Sequence, residues 1–119
     1  MTIQGRTAVF TRDERRAQNP AGHPPVVIGA ALKVNDGTYL LGQILKRDVD
    51  GITMVRAAEG DTFCGVLDST VDTTQQASGN VVIHGSVVVG NLVIGAAGAE
   101  VAPTQAALLK LQTEGIFPA

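Results

Sequence analysis

The stretch Val81-Val-Ile-His-Gly-Ser-Val-Val-Val89, which Gly90-Asn91 separates from Leu92-Val-Ile94, decides the fold. β-Branched valine and isoleucine dominate it, and these residues favour strands because their stiff side chains pack well on a pleated surface. The apolar run continues to Ala99, but four glycines interrupt it, and each would weaken a membrane-spanning helix. The sequence therefore predicts strands in a sheet at Val81–Val89 and Leu92–Ile94.

Short apolar runs separated by turn signals precede this stretch, as is typical of domains that are mostly β-sheet. Asn35-Asp-Gly37 and Asp48-Val-Asp-Gly51 contain residues that tolerate the positive φ angles of tight turns. The second motif has its glycine at the fourth position, where a calcium loop needs it at the sixth, so we interpret it as a hairpin turn. The predicted strands are Val26–Val34, Thr38–Lys46, Ile52–Ala58 and Phe63–Leu67, and the polar stretch Asp68–Asn80 follows them.

One short helix is predicted near the end of the chain. Thr104 provides an N-cap, and Gln105–Glu114 are good helix formers. Gly115 suits the left-handed conformation that often ends a helix, and Ile116-Phe117 is expected to fold back onto the core. Three apolar residues share one face of this helix and give it a side to pack, namely Ala107, Leu108 and Leu111.

Residues 1–25 differ in composition from residues 26–119, which form the predicted β-rich domain. The first segment carries four basic and two acidic residues, a net charge of +2, whereas the rest carries five basic and nine acidic residues, a net charge of −4. Three prolines in Asn19–Pro25 favour an extended path. Apart from Ile3, the first segment has one apolar cluster, Thr7–Thr11, too little to bury a face of its own. We therefore predict an extended N-terminal arm.

The composition excludes several classes of protein. The 119 residues suit one domain, and the single cysteine excludes a disulfide framework and any all-cysteine metal site. The formal net charge of −2 argues against a dedicated nucleic-acid binder, which is usually basic. Only 17% of the residues are charged, against about a quarter in an average domain. A small chain with so few charges is expected to cover part of its surface with another chain.

The residues that catalysis requires are few and scattered. His23 lies in the proline-rich end of the arm, where nothing rigid holds it, and His84 is expected on the polar side of a strand. Cys64 lies between Phe63 and Gly65, and we interpret it as a buried, inert thiol. The sequence contains neither a Gly-x-Ser-x-Gly elbow nor a glycine-rich phosphate loop. We therefore expect no enzymatic activity, no cofactor and no metal site.

Four segments occur in an order that is typical of one known family. Asp61-Thr-Phe-Cys-Gly-Val-Leu67 follows a turn, an acidic threonine-containing loop spans Asp68–Thr74, and a valine-rich strand broken by glycine spans Val81–Val88. A short helix followed by Gly-Ile spans Ala106–Ile116. In this layout, residues 26–117 resemble the head decoration protein D family of tailed bacteriophages, the lambda type. The chain is poorer in aromatic residues than many members of that family.

The resemblance implies a small β-clip-like domain with a structural, non-catalytic role. It implies a homotrimer, made in the bacterial host cytoplasm, that sits at threefold and quasi-threefold sites on the outer surface of an expanded phage head. Its partners are then the major capsid protein and further copies of itself, without direct contact to nucleic acid or membrane. The arm is the expected capsid contact, through strand addition or through charge. Its candidate contact residues are Ile3, Arg6, Val9, Phe10, Arg12, Arg15 and Arg16.

Three other functions stay open from the sequence. A carbohydrate-binding β module displayed on a larger assembly is the main alternative, although sugars usually stack on tryptophan or tyrosine and only Tyr39 is available. A small hydrolase would need a nucleophile with a base in reach, which the sequence does not indicate. An arm-based nucleic-acid binder would use the four arginines against phosphates, and retention on heparin or DNA at low salt would identify it.

Overall fold

A computed structural model describes residues 17–19, 22 and 24–119 of the chain. These residues form a mostly antiparallel β structure with one short helix near the C-terminus, which confirms the predicted fold class. The strands are β1 (Val26–Ala31), β2 (Thr38–Tyr39), β3 (Ile44–Arg47), β4 (Met54–Arg56), β5 (Gly65–Leu67), β6 (Val71–Asp72), β7 (Ser78–Val87) and β8 (Ile116–Pro118), and the helix is α1 (Gln105–Thr113).

The valine-rich strand β7 organises the main sheet. The strand order is β1-β7-β5-β3-β4, and β8 joins β7 in parallel near its end, while β2 and β6 form a separate two-stranded ladder. A parallel bridge between Leu32 and Met54 joins the chain just after β1 to the start of β4. Because β1 and β4 are the two ends of the strand order, this bridge curls the sheet towards a barrel.

Successive residues of the central strands point to opposite faces of the sheet and build two separate cores. One face carries Ile44, Val66 and Val82, and the other carries Leu45, Leu67 and Val81. The first core is covered by α1 and by the segment that follows it, through Ala107, Leu111 and Ile116. The second core lies inside the curled sheet and is filled by Leu32, Tyr39, Met54 and Val71.

The predicted helix and its ends are confirmed. The Thr104 hydroxyl accepts a hydrogen bond from the Ala107 amide at 3.3 Å, and Gly115 has a φ of 86°. The Thr104 hydroxyl also donates to the Glu59 carboxylate at 2.6 Å, which ties the start of the helix to the loop before β5. Ile116 is fully buried in the first core, so the chain folds back as expected.

Both predicted turns have the conformations that their residues favour. Asn35 and Gly37 have φ angles of 51° and 78°, and Gly51 has a φ of 73° between β3 and β4. One Asp50 oxygen accepts the amides of Ile52 and Thr53, each at 2.8 Å, and braces the β3–β4 turn. Asp48–Gly51 is therefore a hairpin turn.

Three predicted elements differ from the structure. The single strand expected at Thr38–Lys46 is two strands, because the chain turns at Gly42, where a Cβ atom would lie 1.7 Å from the carbonyl oxygen of Asn91. The polar stretch Asp68–Asn80 contains β6 and the first three residues of β7. Leu92–Ile94 makes isolated bridges to Gln43 and Val101 instead of a strand.

The core of the body includes a residue that precedes residue 26 in the sequence. Ala17, which the sequence assigns to the arm, is fully buried in the first core. Its amide and that of Gln18 donate to one oxygen of the buried Asp68 carboxylate at 2.9 and 3.1 Å, and the Gln18 side-chain amide donates to the other oxygen at 2.8 Å. We call these three hydrogen bonds the Asp68 anchor. It holds Ala17 and Gln18, which directly follow residues 1–16 in the sequence, to the body.

Candidate functional site

The predicted capsid-contact residues of the arm lie outside the described residues. These residues are Ile3, Arg6, Val9, Phe10, Arg12, Arg15 and Arg16. What the structure does give is their point of attachment. The Val88 amide donates to the Ala17 carbonyl at 2.7 Å and the Asn19 amide donates to the Ser86 carbonyl at 2.8 Å, so residues 17–19 continue the sheet along the end of β7.

Of the two histidines, the structure describes only His84. His23 lies outside the described residues. His84 is exposed on β7, as predicted, and its ring meets the Phe117 ring edge-on at a centroid distance of 5.9 Å. Within the part of the chain that the structure describes, no three histidine, cysteine, aspartate or glutamate side chains lie close enough together to hold a metal ion.

Cys64 is half-buried. The sequence predicted a fully buried thiol, so the predicted burial is too high. Cys64 lines a cavity of about 450 Å³ together with Phe63, Ile83, Arg47 and Glu114. Burial raises the pKa of the Cys64 thiol, nearby Arg47 opposes this effect, and Glu114 adds to it. The raised pKa keeps the thiol protonated and poorly nucleophilic near neutral pH.

Cys64 should therefore react slowly with a maleimide in the native protein at pH 7.5, although it is partly accessible. We expect the labelling rate to keep rising with pH beyond the range in which an unperturbed cysteine has already become a thiolate, at about pH 8.5. The measurement is the labelling rate between pH 7 and 10, with the urea-unfolded protein as the control. Native labelling as fast as that of the unfolded chain at pH 7.5 would contradict this expectation.

A polar groove of about 600 Å³ lies between the end of β1 and the loop around β6. Small residues of β1 and β7 form one side of it, and hydroxyl, amide and carboxylate side chains form the other. The polar lining includes Ser69, Thr70, Asp72, Gln75, Gln76 and Asn80. None of its lining residues is aromatic, so the groove lacks the flat apolar platform on which sugar rings usually stack.

Tyr39 cannot supply that platform, because its side chain is fully buried in the second core. Its hydroxyl donates to the Asp36 carboxylate at 2.5 Å, and the Arg56 guanidinium lies 4.0 Å above its ring. Burial raises the pKa of Tyr39, and the hydrogen bond to Asp36 adds to this rise. Arg56 also binds the Asp36 carboxylate at 3.1 Å and the Asp36 and Thr38 carbonyls. This cluster braces the turn before β2 and has a structural role.

The most unusual surface feature is the exposure of large apolar side chains. Among the described residues, nine large hydrophobic residues are exposed: Val26, Val27, Ile28, Val34, Val49, Ile52, Val89, Val101 and Leu109. They belong to β1, to the β3–β4 turn, to α1 and to loops at several places in the chain. The sequence did not reveal them, because a valine that packs inside and a valine that faces solvent look the same in an apolar run.

Comparisons with protein-family models, with curated proteins and with solved structures found no match to this chain. Within the described residues, no helix combines the length and the apolar character that crossing a membrane requires.

Proposed function

We propose that this chain is a structural capsid decoration protein, also called a cement protein. It binds as trimers at threefold and quasi-threefold sites of an expanded phage head and stabilises the head against internal DNA pressure. The proposal rests first on the resemblance of residues 26–117 to the lambda-type decoration family. The mostly-β body with one short helix is compatible with it.

The observation that carries the proposal is the set of nine exposed large hydrophobic side chains among the described residues, on a chain of which only 17% is charged. Scattered single apolar residues are ordinary on protein surfaces, but contiguous ones mark contacts. Val26, Val27 and Ile28 follow one another in β1, the strand at one end of the sheet order, so apolar side chains are exposed on both faces of this strand. A protein that touches both its own copies and capsid subunits needs such contacts on more than one side.

The mechanism follows from multivalency. One trimer has three arms, and the Asp68 anchor holds the residues that follow each arm, Ala17 and Gln18, to the body. Once one arm is bound, the others are held close to their sites at a high effective concentration, so contacts that are weak one by one hold together strongly. A trimer that binds several capsid subunits at once opposes their separation, which is how it resists pressure from inside the head.

Sedimentation with heads tests the proposal. The protein is mixed with purified, DNA-filled, expanded heads of the phage that encodes it, and the pellet is analysed for bound chain. We expect saturable binding, whereas the protein alone stays in the supernatant. Heads with bound protein should also survive removal of divalent cations or heating better than bare heads. Absence of binding to expanded heads would overturn the proposed function.

The oligomeric state gives a separate prediction. On the head we expect a trimer of three 12.3 kDa chains, and in free solution a monomer or a trimer. Light scattering measures the mass in solution, and chemical cross-linking of decorated heads measures it on the particle. A twofold dimer in both settings would contradict the threefold placement, because a closed dimer does not match threefold symmetry.

A carbohydrate-binding module is the second candidate, and the polar groove beside β1 is the observation in its favour. Its hydroxyl and amide groups suit a polyhydroxylated ligand. The burial of Tyr39 removes the aromatic residue that the sequence offered for stacking. A glycan array separates the two candidates. Specific glycan binding that is lost in Gln75→Ala and Gln76→Ala, without any binding to heads, would favour the module.

A further inference from the structure

Residues 17–19 form a short strand on the end of β7, which we call the root segment. Gln18 pairs with Val87 in an antiparallel bridge. Ala17 is fully buried in the first core, and the amides of Ala17 and Gln18 bind the Asp68 carboxylate. All of these contacts join the root segment to distant parts of the chain. They would therefore be the same if another copy of the chain supplied the segment.

The loop 20–25 joins the root segment to β1 across a short gap. The Asn19 amide donates to the Ser86 carbonyl, and Val26 pairs with His84, which lies two residues earlier on β7. At about 3.3 Å per residue this gap is about 7 Å, whereas six residues can reach about 20 Å when extended. The chain therefore has to turn back on itself between the root segment and β1.

The composition of this loop opposes such a turn. It contains three prolines, and each fixes its own φ and disfavours helical backbone at the residue before it. The Gly22 amide closes the turn with a hydrogen bond of 3.3 Å to the Asn19 carbonyl, longer than the usual range of about 2.7–3.2 Å. The loop also presses on β7, because a Cβ atom on Gly22 would lie 2.3 Å from the Ser86 hydroxyl oxygen. Short, strained hinge loops favour exchange of the segment that they hold.

We propose that neighbouring copies of this chain exchange their root segments. Residues 17–19 of one copy then pair with β7 of the next copy, and their amides bind the Asp68 carboxylate of that copy. Each hydrogen bond and buried contact of the root segment is re-formed on the neighbour, so exchange changes little except the loop, which is released from its turn. The first core of each body is then completed by Ala17 of a neighbouring copy.

Assembly decides where exchange takes place. In a dilute solution, the chain's own root segment has an effective concentration of about a millimolar and prevails over a micromolar second copy. In an assembled trimer the neighbour's segment is also held close, so the two compete on similar terms and the loop decides between them. The inference rests on the proposed function for the trimer. Exchange that passes from copy to copy around a threefold axis closes after three copies.

A disulfide across the Gln18–Val87 pair shows which copy supplies the root segment. The backbone hydrogen bonds lie beside this pair and not within it, and in such pairs the Cα atoms are about 4.5 Å apart, close enough for a disulfide. Gln18→Cys and Val87→Cys are combined with Cys64→Ala, which removes the native thiol. The protein is refolded at micromolar and at about millimolar concentration, and a further sample is bound to expanded heads. Each sample is oxidised and run on a denaturing gel without reductant.

Two matched controls accompany this experiment. Arg47→Cys with Met54→Cys joins β3 to β4 in the same type of pair within one hairpin, so its disulfide should form within the chain at every concentration. Gly22→Ala crowds Ser86 in the closed loop and should raise the ratio of between-chain to within-chain disulfide about tenfold. Gly60→Ala should leave the ratio unchanged, because a Cβ atom there meets nothing within 4 Å.

We expect a disulfide within the chain at micromolar concentration, disulfides between chains in the millimolar sample, and a covalent trimer on heads. Disulfides only within the chain in both the millimolar and the head-bound samples would overturn the inference. A covalent dimer on heads would support exchange and contradict the threefold placement. If the protein does not bind heads, the proposed function fails, and the millimolar sample still decides whether root segments are exchanged.

Nuclear magnetic resonance of the native sequence gives the answer if the double-cysteine variant does not fold. Copies labelled with heavy carbon and copies labelled with heavy nitrogen are refolded together at about millimolar concentration. We expect a nuclear Overhauser effect between Ala17 of the first kind and the Val88 amide of the second, because this amide donates to the Ala17 carbonyl. Its absence, when uniformly labelled protein shows the same contact, would overturn the inference.

Discussion

Val9→Asp combined with Phe10→Asp is expected to abolish binding to expanded heads at every salt concentration. If the arm binds by adding a strand, these two side chains fill pockets on alternate faces of it. Loss of two buried apolar side chains costs about 3 kcal/mol per arm, which is roughly a hundredfold in affinity. Co-sedimentation with heads across a salt series measures the effect. Salt does not screen apolar contacts or backbone hydrogen bonds, so added salt should not change the loss.

The matched variant replaces Arg12, Arg15 and Arg16 with alanine and tests the other way in which the arm could bind. Exposed charges act over about 8–10 Å at physiological ionic strength, so this variant should bind more weakly at low salt and approach the native protein at high salt. The body should melt at the same temperature in both variants, because the first segment carries too little apolar content to bury a face of its own. Full head binding by the aspartate variant would assign the contact to the body and not to the arm.

Local chemistry explains why the turns and the helix could be predicted from the sequence. Asn35 and Gly37 adopt positive φ angles because asparagine tolerates them and glycine has no Cβ to clash. Thr104 caps α1 because its hydroxyl reaches an amide three residues ahead. Each of these local conformations depends on only a few consecutive residues. The strand over Val81–Val89 was predicted for the same reason, because β-branched residues favour a strand wherever it is placed.

Long-range contacts explain what could not be predicted. The chain turns at Gly42 because the backbone of Asn91 lies against it, 49 positions away, and no property of residues 38–46 reveals that neighbour. The position of β7 between β1 and β5 likewise depends on pairings between distant segments. The burial of Tyr39 could not be predicted either. The sequence offers it as a possible binding residue, but in the fold its hydroxyl binds Asp36 and its ring packs against Arg56.

The candidate interaction surface shows the same division. The basic arm is visible in the sequence because its charge and prolines set it apart from residues 26–119. The exposure of Val49 and Ile52 is not visible, because both have the hydrophobicity of core residues and only the turn braced by Asp50 holds them in solvent. Asp68 is equally hidden, since an aspartate in a polar stretch gives no sign that three hydrogen bonds from residues 17 and 18 will bury it.

Asp68→Ala is expected to destabilise the body more than any other single polar substitution considered above. The carboxylate is 1% exposed and accepts the amides of Ala17 and Gln18 together with the Gln18 side chain. Hydrogen bonds to a charged group contribute about 1.5–3 kcal/mol each, and the Ala17 amide would be left buried without this partner. We expect a loss of about 3–5 kcal/mol in the free energy of unfolding, comparable to breaking a buried polar network.

Urea and thermal unfolding of the full-length variants measure this loss, and two controls show where it comes from. Gln18→Ala removes only the side-chain hydrogen bond and should cost about 1 kcal/mol. Asp68→Asn keeps an oxygen for the two backbone amides but turns an amide group towards the Gln18 amide, so its cost should lie between the other two. A loss of 3 kcal/mol lowers the melting temperature of a domain of this size by more than about 10 °C. If Asp68→Ala melts within a degree or two of the native protein, residues 17–19 do not belong to the cooperative core, and the arm leaves the body near residue 25.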